Sequence, residues 1–158
     1  MADPTAPVLK DRLQSELTES MRDRDELRTA TLRMALTAVR SEEVAGKVAR
    51  TLSDDEVVTV LGREAKKRRE AAVAFEGAGR ADKARRELEE LEVLQGYLPA
   101  SMTDDDLAAL VAEEVAAVAA TGATGMAAMG RVMKAVQPRV AGRAEGGRVA
   151  AEVRRQLG

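Results

Sequence analysis

The chain has 158 residues, 45% of them hydrophobic and 33% charged, with a formal net charge of -2. That is enough apolar material for a core and too little charge imbalance for a disordered chain. It contains no Cys and no His, which excludes disulfides, thiolate and imidazole metal sites, Cys nucleophiles and every Ser-His-Asp triad.

Phe75 and Tyr97 are the only aromatic residues, so the interior has to be built from Leu, Val, Met and Ala. Alternating β-branched and aromatic residues are missing, which points away from a sheet and towards an all-α, multihelical fold. No apolar run approaches the roughly 18 residues of a membrane span. The opening MADPTAPVLKDR lacks the apolar stretch of a signal peptide. No membrane association is expected, and the cytoplasm is the expected compartment. Pro4 and Pro7 suggest a frayed start.

Leu9, Leu13, Leu17 and Met21 recur every four residues and predict a first helix. From about Asp25 to Ala45 a second helix carries Leu27, Met34 and Ala38 on one face and Leu32, Leu36 and Val39 on another. A helix apolar on two sides is expected at the centre of its bundle. Ser53-Asp54-Asp55-Glu56 has the spacing of a capping box. It opens a third helix with Val57, Leu61, Ala65, Ala72 and Phe75 on one stripe, broken at Gly77-Ala78-Gly79. A fourth helix follows, with Ala84, Leu88, Leu91, Leu94 and Leu98 on its apolar side, and Pro99 stops it.

Thr103, followed by Asp104-Asp105-Asp106, starts a fifth helix with acids placed well against its dipole. Gly122 ends it. Thr124 is expected to cap a short sixth helix closed by Pro138, with Met126, Met129, Val132, Met133 and Val136 as its core side. Gly142, Gly146 and Gly147 form a hinge before a last helix to Leu157. These elements predict an N-terminal four-helix subdomain over 1–99 and a C-terminal three-helix subdomain over 100–158.

Charge is patterned along this series. The net values are -3 over residues 1–60, +5 over 61–86, -9 over 87–124 and +5 over 125–158. A basic block can meet phosphate, and an acidic block steers such a partner away from itself; each block can equally be an ordinary solvated surface. Lys66-Lys67-Arg68-Arg69 points four ways on a helix, and Arg68 falls within the apolar stripe. Its expected state is half-buried, snorkelling or paired with Glu64.

The C-terminal block is better organised. Arg131 and Lys134 share the polar side of the sixth helix beside Gly130, which leaves room for close approach. Arg148 and Arg155 share a face of the last helix, and Arg139 and Arg143 lie on the connection. Four to six cations on one surface would suit contact with a phosphate backbone. The glycines match no P-loop and no dinucleotide fingerprint. The carboxylates are sequence neighbours, which do not converge on a helix. No catalytic residue, metal site or cofactor is assigned. With so few aromatics, any RNA would be read by shape and backbone rather than base stacking.

Three strings carry a family resemblance: LRMALTAVRSEE, KKRREAAVAFEGAGRADKARRELEELEVLQGYLP and TGATGMAAMGRVMKAVQPRVAGRAEGGRVAAEVRRQL. Together, from about Leu9 to Leu157, they resemble the YqeY family, also described as GatB/YqeY domain proteins. The resemblance implies two helical subdomains, the second similar to the C-terminal tail of the B subunit of the glutamyl/aspartyl-tRNA amidotransferase. That tail helps hold the tRNA body.

The resemblance further implies RNA-facing roles for Gly130, Arg131, Lys134, Gly142 and Arg143. It implies tRNA as partner, an amidotransferase or synthetase as further protein partner, and an association with carbon–nitrogen ligases. The family pattern carries Asp where this chain has Ala128 and Glu145. The alternative expectation is a helical protein–protein adaptor that does not bind RNA, motivated by the acidic block over 87–124.

Overall fold

The structure, a computed structural model, describes residues 8–158. Pro4 and Pro7 lie outside the described residues. Within them there are seven α-helices and no strand: α1 (Val8–Arg22), α2 (Glu26–Val44), α3 (Asp54–Gly77), α4 (Ala81–Gln95), α5 (Asp104–Ala119), α6 (Gly125–Val140) and α7 (Gly146–Leu157). None is long and apolar enough to cross a membrane. The chain divides into two compact units, the first ending at Leu98 and the second running Pro99–Gly158.

In the first unit α1 and α2 form an antiparallel pair. The Lys10 ammonium reaches the Glu43 carboxylate at 2.8 Å at one end, and the Ser20 and Thr29 hydroxyls meet at 2.9 Å at the other. Asp25 caps α2 by accepting from the Arg28 N–H. The predicted capping box is in place on α3, where the Ser53 hydroxyl accepts from the Glu56 N–H and the Glu56 carboxylate accepts from the Ser53 N–H. Leu13, Leu32, Val39, Leu52, Val57, Leu61 and Leu94 are wholly buried in one core. α2 packs on α1, α3 and α4, as a helix apolar on two sides requires.

The second unit has its own core of Leu107, Val111, Val132, Val136, Val149 and Val153. Thr103 caps α5, accepting from the Asp106 N–H. Two expectations fail on α6. Pro138 does not close it, because helical φ suits proline and the only lost bond is the one to the exposed Lys134 carbonyl. The helix stops two residues later, where Ala141 and Gly142 both take left-handed φ, 48° and 77°. Met126 is not core. It lies about 160° from Ala128 at about 100° per residue and is 85% exposed. The valines at 132, 136 and 140 fill the interior instead, with Met129 and Met133 packed at the margin. Thr124 occupies the N-cap position, but its side chain makes no capping bond. In the first unit Leu88 likewise turns outward, 51% exposed, while Leu91 and Leu94 point in.

Candidate nucleic-acid interface

The outward side of α6 carries Gly130, Arg131 and Lys134, all exposed. The inward side is fixed by burial of Ala128, Val132, Val136 and Val140 at a four-residue stride, so the polar positions between them have to face solvent. A Cβ built on Gly130 would meet nothing within 4 Å, so the space above it is open to a partner. Arg131 donates to the Thr121 hydroxyl at 3.2 Å, a neutral acceptor that leaves its charge uncompensated. Lys134 makes no ion pair or hydrogen bond among the described residues. α6 itself contains no acidic residue.

The other predicted cations are engaged. Arg139 donates from its two terminal nitrogens to Glu113 and Glu114 of α5, both at 2.7 Å, and these carboxylates, Glu114 first, hold its pKa above the usual value. Arg148 donates to the Met102 carbonyl at 2.9 Å and to Asp104 at 2.8 Å. Arg155 is paired with Glu152 of its own helix at 2.5 Å. With Gln156 adding a second bond, this pushes the Glu152 carboxyl down to about 2. Arg143 donates to the Ala100 carbonyl at 3.3 Å, and its own carbonyl accepts from the Met102 N–H at 2.7 Å.

The structure thus brings Arg143 and Arg148 together over the segment leading into α5. It separates them from Arg131, which is tied to Thr121 beyond the other end of that helix. α5 has 16 residues and spans roughly 24 Å at 1.5 Å per residue. The cations therefore form a spread along the unit rather than one cluster, a pattern that matches spaced phosphates better than a single anion. Gly142 has a local reason of its own: φ of 77° in the turn that ends α6. One cation absent from the predicted set belongs with the free ones. Arg154 is exposed on α7 and unpaired among the described residues. Its position opposite Val149 was the only signal that could have revealed it.

The basic run of α3 is dispersed as expected, but the burial of Arg68 is more complete. Its guanidinium sits 2.9 Å from Glu90 and 3.7 Å from Glu87 on α4, with Glu64 at 3.8 Å. Lys67 completes the set by pairing with Glu64, and Arg86 by pairing with Glu90. The predicted one-turn pair with Glu64 exists, yet the dominant partner lies on the facing helix, which spacing along α3 cannot reveal.

A second network also escaped the sequence. The buried Tyr97 hydroxyl donates to Glu16 and accepts from Arg28 at 2.5 Å. Arg12 lies 4.8 Å above the ring centroid. Burial, followed by the bond to Glu16, pushes the phenol up to about 12, so it stays protonated. Among the described residues no group of carboxylates is placed to hold a metal ion.

Comparison with known proteins gives one family. The family model described as Yqey-like protein matches residues 10–157, nearly the whole chain. No curated protein matches it.

Proposed function

The chain belongs to the YqeY family, and from that premise we propose that it is a tRNA-binding accessory protein related to the amidotransferase, contacting RNA through its second unit. The single observation that carries this reading is the acid-free outer side of α6, with Lys134 unpaired and open space above Gly130. Phosphates are bound by cations whose charge is not already spent on carboxylates. By that criterion Lys134 and Arg154 are the primary contacts. Arg131 and Arg143 are secondary, since neutral oxygens hold them. Arg139 and Arg148 serve first to hold α6 and α7 on α5, and Arg155 is neutralised by Glu152 of its own helix. Carbon–nitrogen ligase chemistry is assigned in this reading to a partner of the amidotransferase or synthetase class, as the family resemblance implies.

A filter-binding titration with total tRNA at two salt concentrations tests this. Binding should weaken steeply with salt. The double variant Lys134→Glu/Arg154→Glu should lose about tenfold in affinity at low salt and flatten the log–log salt slope, each phosphate contact accounting for about 0.9 of it. Undiminished binding by that variant would refute the assignment.

The second reading is a protein adaptor without RNA binding. It is favoured by Met126, 85% exposed at the start of the same helix, and by the internal neutralisation of three predicted cations. No binding to tRNA even at low salt, together with capture of a stable protein partner that Met126→Lys abolishes, would establish it instead.

A further inference from the structure

An open cleft of about 320 Å³ lies in the first unit, lined by no residue assigned above to RNA. Its walls carry opposite charge. On one side stand Arg12 of α1 and Arg28 of α2. Their bonds to Glu16 use only Nε of Arg12 and Nη2 of Arg28. Two guanidiniums share the one Glu16 carboxylate, so a positive charge is left over, and with five N–H donors each in a planar fork both keep free donors for a second carboxylate. On the other side stand Glu89 and Glu92 of α4, both exposed and without an ion pair among the described residues. Three residues apart, they share one helix face and repel each other, a cost that a cation between them would relieve.

Leu27, Val93 and Tyr97 give the cleft its apolar lining, and Gly96 contributes no side chain. The cationic wall is rigid as well as charged: Arg12 and Arg28 lie 4.8 and 5.7 Å from the Tyr97 ring centroid, and Glu16 ties both to the phenol. Pre-ordering of this kind lowers the entropy lost on binding. The volume is at the lower end of small-molecule clefts.

We propose that this cleft binds a small zwitterion of the free amino-acid class with an apolar side chain: its carboxylate on Arg12 and Arg28, its ammonium on Glu89 and Glu92, and its side chain on Leu27 and Val93. An anion alone would meet the repulsion of Glu89 and Glu92. A cation alone would meet that of the guanidiniums. Only a ligand with both charges satisfies both walls. This inference does not depend on RNA binding, which concerns the other unit.

The test is a ¹H–¹⁵N correlation titration of the whole chain with L-leucine, following the amides of Glu92, Gly96 and Tyr97. Isocaproate, which lacks the ammonium, and isopentylamine, which lacks the carboxylate, are the controls. L-leucine should give saturable shifts at these amides, and both controls should bind about tenfold more weakly. Glu89→Gln/Glu92→Gln, on an exposed helix face where folding is not at stake, should weaken L-leucine about tenfold and leave isocaproate equal or tighter. The proposal is overturned by the absence of shifts at millimolar L-leucine, by a control binding as well as L-leucine, or by undiminished L-leucine binding in the double variant.

Discussion

Arg68 shows how a residue that looks like a ligand contact becomes part of the interior. Its side chain is 9% exposed and lies within ion-pair distance of Glu64, Glu87 and Glu90. Such a cage is costly to assemble, because each ion gives up water, but it is costlier still to break from one side. Arg68→Ala would leave Glu87 without its partner and Glu64 and Glu90 with only their exposed partners, Lys67 and Arg86. It should destabilise the first unit by about 3–5 kcal/mol, measured by urea unfolding. Replacing Arg68, Glu87 and Glu90 together by Met, Leu and Leu should recover most of that loss, since the apolar stripe of Ala65 and Ala72 continues through this position. A triple variant no more stable than Arg68→Ala would mean that the charges themselves, rather than the filled space, hold the two helices. The same principle sorts the cations of the second unit: Arg139, fixed by two carboxylates, is a strut, whereas Lys134 has no ion pair among the described residues.

At the scale of elements, most of the fold was legible because its signals are local. The capping box at Ser53, the cap at Thr103 and the breaks near Gly77 and Gly122 depend on residues within one turn, and the structure has all of them. What escaped depends on partners far along the chain. Tyr97 meets Glu16 across 81 positions, and Arg68 meets Glu90 across 22. No periodicity reports such pairs. The same holds for the cations of the second unit, where residue type and helix face put Arg131 and Lys134 on the exposed side of α6 but could not foresee that Glu113 and Glu114 would hold Arg139.

Pro138 misled for a different reason. Its residue type predicts a helix stop, yet the stop is made by the left-handed pair Ala141-Gly142. That assignment can be checked. Gly142→Ala places a Cβ at φ of 77° and should cost about 1 kcal/mol in the stability of the second unit. Pro138→Ala should be neutral or mildly stabilising, because it restores a helix bond. Circular dichroism melts of both variants would read this directly, and the reverse order would return the role of helix stop to Pro138.

For the molecule as a whole, the main question is whether the second unit carries its function by itself. Its core closes on Leu107, Val111, Val132 and Val153 without any residue before Met102. A domain of this size buries a modest fraction of its surface and is marginal. The fragment 99–158 should therefore fold cooperatively on its own, with a stability of only about 3–5 kcal/mol. Its formal charge is zero, since 7 basic and 7 acidic residues cancel, so the remaining -2 of the chain belongs to the first unit. Attraction to RNA in this fragment cannot come from net charge and has to come from how the cations are distributed. If Lys134 and Arg154 make the contacts, the isolated fragment should bind tRNA at low salt at least as tightly as the whole chain, because an acidic unit has been removed. A folded fragment that binds more weakly would mean that the +5 block over 61–86 supplies contacts of its own. The RNA-binding surface would then have to be redrawn to include α3 and the start of α4.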